Sequence, residues 1–228
     1  MKETRFINPR LDLEAIARDV RHRIEHEQED GITVPVLNGA IVINDFLKPE
    51  GRQILEGQAY SQGSDLSKAY RTSRPGYGDH ELYVVNAEEQ IPIFSEFRRE
   101  VDAFLERIFE RPVKEHMFQL RELAPVSRGH ARHRDYERGF DIIRAEEEYA
   151  LTTVSLSFPI SWNDGKSMKF RLETTEGEVI QDRPGSLALF GPKIYHGHPE
   201  TSGFGKPSLW LVTLAFFKVP RTQAVASA

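Results

Sequence analysis

The 228-residue sequence contains no cysteine. This excludes disulfide bonds and every metal site that needs thiolate ligands, and it is typical of a reducing compartment. The sequence also lacks an apolar run near the roughly 18 residues that a membrane-spanning helix requires, and its first residues, MKETRFINPR, lack the apolar core of a signal peptide. We therefore expect a cytoplasmic protein with no membrane partner.

An excess of positive charge is likewise missing. Lysine and arginine total 30 against 35 acidic residues, which gives a formal net charge of −5. This balance argues against nucleic acid as a partner, because binding to phosphate backbones depends on clustered cations. No repeat or low-complexity segment interrupts the chain. We expect a single domain over 1–228, with helical support and a mouth loop in 1–113 and the core in 114–219.

The first half of the chain combines helical spacing with one long irregular stretch. The pair Asn8-Pro9 is typical of a helix start, and apolar residues recur behind it up to Ile24. GAIVINDFLKPEGRQILEGQAY predicts a short strand, a turn and a second helix, and a third helix carries an apolar face that we expect to be core. The face comprises Phe94, Phe97, Val101, Phe104, Leu105 and Ile108. Residues 63–78, rich in Gly, Ser, Tyr and Arg, are predicted to form a long loop.

From residue 114 onward the periodicity changes to that of strands. Short runs of β-forming residues are separated by Pro, Gly, Asn or Asp, as in TTVSLSFPI, GEVIQ, GSLALFG and SLWLVTLAFF. The fold class predicted from this pattern is mainly β with flanking helices. Its core is a double-stranded β-helix (jelly roll) of about eight strands, braced by the N-terminal helices.

Two histidine-containing motifs predict a metal site. In RGHARHRDYERGF, His133 and Asp135 are two positions apart and can therefore face the same side of an extended segment. A later segment, IYHGHPE, supplies His196 and His198. Two imidazoles and one carboxylate on one face suit non-haem Fe(II), although the same ligands also suit zinc or manganese.

Taken together, these motifs resemble the iron(II)- and 2-oxoglutarate-dependent dioxygenases, particularly their compact prolyl-hydroxylase-like group. That family combines an HxD pair, a distal histidine, and then a basic residue with a hydroxyl two positions beyond it. Here His133-Arg134-Asp135 is followed by His196, then by Lys206 and Ser208. The segments IVINDFLKPEGRQIL and RPGSLALFGPKIYHGH are also similar to family segments, so the resemblance covers most of residues 40–218.

The resemblance implies the site residues and cofactors. Catalytic metal ligands would be His133, Asp135 and His196, holding Fe(II) for reaction with 2-oxoglutarate and O2. Lys206 and Ser208 would bind the far carboxylate of 2-oxoglutarate, although the commoner residue at the lysine position is arginine. Many relatives have a tyrosine in the strand before HxD, where this chain has Leu123. Gln119 and Arg121 could replace that tyrosine as cosubstrate ligands if they point inward, but they could equally lie on the exposed face.

The implied reaction is hydroxylation of an unactivated C–H bond, with decarboxylation of 2-oxoglutarate to succinate and CO2. Arginines near the motifs favour a small anionic or amino-acid-like substrate. Candidate substrate residues are Tyr70, Arg74, Tyr77, Arg134 and Trp162. Two alternatives remain open: an oxygenase acting on a protein side chain or an alkylated nucleobase, and a cupin-like metal protein that does not use 2-oxoglutarate.

Overall fold

The computed structural model describes residues 4–29, 32–66, 82–85, 87–123, 130–135, 149–161, 169–198 and 208–220. Its helices are α1 (Leu13–His22), α2 (Pro49–Leu66), α3 (Ala87–Gln90) and α4 (Pro92–Phe109). The first four strands are β1 (Ile24–Glu29), β2 (Ile32–Leu37), β3 (Ala40–Ile43) and β4 (Leu82–Val85). Eight more follow: β5 (Val113–Leu123), β6 (His130–His133), β7 (Tyr149–Ser161), β8 (Phe170–Thr174), β9 (Gly177–Gln181), β10 (Leu187–Phe190), β11 (Tyr195–His198) and β12 (Ser208–Pro220). No described helix has the length and apolarity needed to cross a membrane.

Two antiparallel sheets form the main body of the described structure. The larger has the order β3-β10-β7-β12-β5-β4, and the smaller has the order β6-β11-β8-β9. Apart from the β8–β9 and β4–β5 pairs, neighbours in each sheet are not consecutive in the chain, as expected when a jelly roll wraps one sheet over the other. The predicted double-stranded β-helix is confirmed, and two strands of the larger sheet, β3 and β4, come from residues before 114.

Two apolar cores lie on opposite sides of the larger sheet. On its outer side α1, α2 and α4 pack against β5, β7, β10 and β12. The six residues predicted to form the core face of α4 are all buried. A smaller core lies between the two sheets and contains Phe170, Leu172, Phe190, Ile194 and Trp210, among others. The helices therefore brace the larger sheet, and its other face lines the interior where the motif residues meet.

Three sequence-based boundaries were wrong. Helix α1 begins at Leu13, because the carboxylate of Asp12 caps it by accepting a hydrogen bond from the amide of Ala15 at 2.9 Å. Asn8 instead binds the backbone of Asp45 and Arg10, so the Asn8-Pro9 pair lies in a turn before the helix.

The other two errors concern the ends of helices. Ile24 was assigned to α1, but it begins β1, which pairs with β2 in a hairpin that the sequence did not predict. The predicted loop at 63–78 also starts too early, because α2 continues to Leu66. The remainder of that loop, 67–78, lies outside the described residues.

Candidate metal centre

His133 and His196 are brought together by strand pairing. Strand β6 is antiparallel to β11, and these two residues are directly opposite each other in the register. Directly opposed residues on one face of an antiparallel pair have neighbouring side chains. The two imidazole ring centroids are accordingly 4.3 Å apart. Residues 63 positions apart in the sequence thus become adjacent at one edge of the smaller sheet.

Asp135 completes a three-residue cluster. It follows the end of β6, and its Oδ1 lies 3.4 Å from Nε2 of His196 and 3.9 Å from Nε2 of His133. One ligand atom from each of the three side chains lies within 4.8 Å of the other two. Two imidazoles and a carboxylate converging in this way form the donor set that suits non-haem Fe(II), and also zinc or manganese. The residues present therefore fit a divalent metal ion.

Contacts around the ring hold His196 in one orientation. Its Nδ1–H donates a hydrogen bond to the carbonyl oxygen of Ile194 at 3.0 Å, which leaves Nε2 facing the carboxylate of Asp135 at 3.4 Å. Backbone hydrogen bonds of this kind fix the tautomer of a metal-binding histidine. The rings of Phe190 and Phe170 lie 4.7 and 5.6 Å from the imidazole centroid. The backbone hydrogen bond and the two phenylalanine rings thus fix the orientation of the His196 ring.

The carboxylate of Asp135 is ionised at neutral pH. Burial acts to raise its pKa, but the hydrogen bond and charge of His196, the hydroxyl of Ser155 and the charge of His133 together outweigh burial and hold the pKa below its ordinary value. Ser155 donates its hydroxyl hydrogen to Oδ2 of Asp135. A deprotonated carboxylate is the form that binds a metal ion.

Solvent exposure falls steadily across the cluster. The side chain of His133 is 35% exposed and that of Asp135 is 21% exposed, whereas that of His196 is 8% exposed. His133 therefore marks the open side of the site.

His198 shares the buried face of β11 but lies elsewhere. The register between β11 and β6 shifts between His196 and His198, and His198 pairs with His130. Its ring meets Trp210 edge-on, with the centroids 5.6 Å apart. The geometry therefore brings His196, the residue preferred from the sequence, to Asp135.

A second polar network lies in the interior and was not predicted. The indole Nε1–H of Trp210 donates to Oγ of Ser157 at 2.6 Å, and that hydroxyl donates to Oε1 of Gln181 at 2.7 Å. The amide nitrogen of Gln181 then donates to the backbone oxygen of Ser157 at 2.9 Å. These contacts join β12, β7 and β9, and they fix the indole beside the ring of Phe170, whose centroid is 5.0 Å away.

Gln119 and Arg121 point into the interior. On β12 their partners are Val212 and Trp210, which face the core between the sheets, whereas Leu120 packs on the helix side. The guanidinium of Arg121 lies 5.8 Å from the ring centroid of Trp210 and donates to the side-chain oxygen of Gln119 at 3.2 Å. The inward alternative for this pair thus agrees with the structure. Ser208, which opens β12, is also buried.

Arg134 lies on the opposite side of the smaller sheet from the cluster. Its guanidinium is 3.9 Å from the ring centroid of Tyr195, and Arg132 is 3.8 Å from the same ring. Arg132 also makes a two-point ion pair with Glu173, both contacts at 2.6 Å, which joins the edge strand β6 to β8. Arg134 is therefore part of the outer surface, away from His133, Asp135 and His196.

Several predicted site residues fall outside the described structure. They are Tyr70, Arg74, Tyr77, Trp162 and Lys206. Sequence reasoning also missed Ser155, Ser157 and Gln181. The available signal was the alternation in TTVSLSFPI. When both faces of a strand are covered, serines at every second position point into the interior, and their hydroxyls need hydrogen-bond partners there.

Comparison with known proteins gives structural matches only. No family model matches the chain, and no curated protein matches its sequence. A prolyl-4-hydroxylase from Pseudomonas putida superposes with a TM-score of 0.62 at 14% identity, covering 90% of this chain and 98% of its own. The epimerase SnoN, in complex with Fe3+, alpha ketoglutarate and nogalamycin RO, superposes with a TM-score of 0.60 at 12% identity, covering 95% and 91%.

A third match is a prolyl hydroxylase from Trichoplax adhaerens, bound to a peptide fragment of the hypoxia inducible factor oxygen degradation domain. Its TM-score is 0.60 at 14% identity, with 90% of each chain covered. Identities this low establish the fold and no more. The chain thus has the double-stranded β-helix fold of the iron(II)- and 2-oxoglutarate-dependent oxygenases, as the sequence resemblance predicts.

Proposed function

We propose that this protein is an Fe(II)- and 2-oxoglutarate-dependent oxygenase that hydroxylates an unactivated C–H bond of a small, anionic or amino-acid-like substrate. The observation that carries the proposal is the convergence of His133, Asp135 and His196 at the edge of the smaller sheet. When bound there, iron with 2-oxoglutarate and O2 supplies the oxidation, in which R–H becomes R–OH while 2-oxoglutarate is converted to succinate and CO2.

Each ligand has a distinct task in this proposal. Asp135 would contribute a negative charge that offsets part of the charge of a divalent ion, and its lowered pKa keeps that charge at neutral pH. His196 would supply the oriented, buried nitrogen, and His133 would hold the ion on the solvent side. Three protein ligands leave coordination positions for other molecules.

The cosubstrate would bind deeper, between the two sheets. Its far carboxylate needs a cation and a hydroxyl, because an unpaired buried carboxylate is costly. Lys206 and Ser208 would provide them, and Arg121 and Gln119 would add polar contacts from the neighbouring strand β5. The burial of Ser208 and the inward position of Arg121 over Trp210 support this arrangement. Aromatic side chains around His196 would keep bulk water from the reacting centre.

Hydroxylation is the proposed outcome, although the fold alone does not require it. One structural neighbour is an epimerase and another is a prolyl hydroxylase bound to a peptide. An acidic net charge disfavours nucleic acid as the substrate. Of the candidate substrate residues, Tyr70, Arg74, Tyr77 and Trp162 stay sequence-based predictions. Arg134 is not included in the proposed substrate site, because its side chain lies on the outer surface.

The test is a screen for succinate release. The purified protein is incubated with Fe(II), 2-oxoglutarate and O2 in the presence of small acids and amino acids, and product mass is measured for each. We expect succinate formation that depends on iron and rises with one class of small acid, and no succinate from Asp135→Ala. Stoichiometric metal binding without any consumption of 2-oxoglutarate would contradict the proposal and favour the cupin-like alternative.

A further inference from the structure

Two serines on the central strand β7 are completely buried. Ser155 and Ser157 are two positions apart and both face the interior, between residues that pack on the helix side. A buried hydroxyl is costly unless it is hydrogen-bonded, so the contacts of each serine indicate its role. Ser157 binds Trp210 and Gln181, and neither of these residues belongs to the three-residue cluster. Ser155 binds Asp135.

The two oxygens of Asp135 have different surroundings. Oδ1 faces the imidazole nitrogens of His196 and His133, at 3.4 and 3.9 Å. Oδ2 instead accepts the hydrogen bond from Ser155. Rotation of the carboxylate about its Cβ–Cγ bond would exchange the two oxygens, and the hydroxyl of Ser155 opposes that rotation.

The backbone alone gives Asp135 little support. It lies beyond the last residue of β6, which is itself a four-residue strand at the edge of the smaller sheet. Ser155 belongs to the other sheet, on a 13-residue strand that pairs with β10 on one side and with β12 on the other. The hydrogen bond therefore connects an edge residue to one of the best-anchored strands of the described structure.

We propose that Ser155 is a positioning residue for the metal centre, which holds the Asp135 carboxylate so that Oδ1 alone is presented to the ion. The inference rests on the proposed function, because it assumes that His133, Asp135 and His196 bind a metal. Groups that hydrogen-bond to metal ligands commonly change metal affinity by about 10- to 100-fold when they are removed. Ser155 does not itself contact the ion.

Ser157 offers a matched control. It lies on the same strand and the same face, it is equally buried, and it also donates a hydrogen bond to a side chain. Replacing Ser157 with alanine removes a buried hydroxyl without touching Asp135. General damage to the packing of β7 should therefore affect both variants, whereas loss of carboxylate positioning should affect only one.

The experiment measures Mn2+ affinity in the absence of any turnover, by titration calorimetry and by the electron paramagnetic resonance signal of free Mn2+. We expect Ser155→Ala to raise the dissociation constant by about 10- to 100-fold. Ser157→Ala should bind as the wild type does, and Ser155→Thr, which keeps the hydroxyl, should recover most of the affinity. The absorption of bound Co2+, which reports coordination number, should change in Ser155→Ala and remain unchanged in Ser157→Ala.

The outcomes separate the inference from the proposed function. Wild-type protein that binds no Mn2+ would overturn both. Tight wild-type binding that Ser155→Ala retains, or that Ser157→Ala loses equally, would overturn only the role of Ser155. If Ser155→Ala does not fold, Ser155→Cys takes its place, since a thiol fills similar space but is a weak donor. Unchanged affinity in Ser155→Cys would then count against the inference.

Discussion

The backbone of Gly191 passes directly against the carbonyl oxygen of Leu37. A β-carbon at position 191 would lie 1.5 Å from that oxygen, and the amide of Gly191 donates to the carbonyl oxygen of Gly39 at 3.0 Å. This contact joins the end of the β1–β2 hairpin to the turn that leads into β11 and His196. Only glycine allows the two backbones to approach so closely.

Gly191→Ala should therefore destabilise the protein. The added methyl group must push the hairpin and the turn apart, and we expect a loss of roughly 1–3 kcal/mol or more in the free energy of unfolding. Gly57→Ala is the control, because Gly57 lies in α2 and, apart from the adjoining backbone of that helix, no atom lies within 4 Å of the added carbon. That variant should gain up to about 1 kcal/mol from helix propensity. Urea denaturation measures both, and equal stability of the two variants would contradict the close approach.

The ligand assignment predicts loss of metal without loss of fold. His133→Ala and Asp135→Ala should each abolish iron-dependent activity and stoichiometric metal binding. The core between the sheets is formed by other side chains, so secondary structure should be preserved. Elemental analysis and circular dichroism check the two expectations together. If both variants unfold, these residues serve the structure instead of a metal.

The two histidines of β11 should behave differently. His196→Ala should remove metal binding, because the ring nitrogen that faces Asp135 is lost. His198→Ala should keep metal binding, since its ring packs on Trp210. Mn2+ titration of both variants distinguishes them. The reverse result would make His198 the distal ligand.

The cosubstrate assignment predicts a change in 2-oxoglutarate affinity. Lys206→Ala should raise the apparent requirement for 2-oxoglutarate at least about tenfold, because a charge-assisted hydrogen bond to a buried anion contributes about 1.5–3 kcal/mol. Lys206→Arg should be milder, limited by the space for the larger side chain. Calorimetry with the metal-loaded protein measures the affinity directly. An unchanged value in Lys206→Ala would remove this residue from the cosubstrate site.

Another prediction concerns Arg74 in the predicted loop 63–78. Arg74→Ala should reduce turnover of the primary substrate and leave the slow decay of 2-oxoglutarate without substrate nearly unchanged. The reason is that the proposed cosubstrate ligands are other residues, whereas an arginine of the predicted loop would contact an anionic substrate. Parallel assays of product and succinate check this. Equal losses in both assays would assign Arg74 to the cosubstrate site.

Local periodicity was sufficient to predict much of the fold. The apolar face of α4 and the alternation in β5, β7 and β12 are properties of neighbouring residues, and they were identified correctly. The β1–β2 hairpin was missed because β1, IEHEQE, carries mostly polar side chains and shows no apolar face. Its position depends on burial of Val34 and Val36 in β2, which is a property of the tertiary structure.

Sequence analysis likewise identified some residues of the candidate site and missed others. The spacing of His133, Asp135 and His196 predicted a cluster that the structure brings together. Ser155 was missed because the serine alternation of β7 shows that its hydroxyl needs a partner in the interior but does not identify Asp135, which lies 20 residues away beyond the end of β6. Arg134 was predicted near the substrate because it lies between His133 and Asp135 in the sequence, but strand alternation turns its side chain to the outer surface.

Strand β3 has a consequence for how the chain reaches its final structure. Its residues pair with β10, so that Ile43 is opposite Leu187, with most of the polypeptide between them. Contacts between such distant residues must overcome a large loop-closure entropy and slow the search for the native topology. During synthesis β3 emerges long before β10, and its apolar edge must remain unpaired until then. We expect refolding to be slow and sensitive to protein concentration, since an unpaired strand edge can associate with other chains.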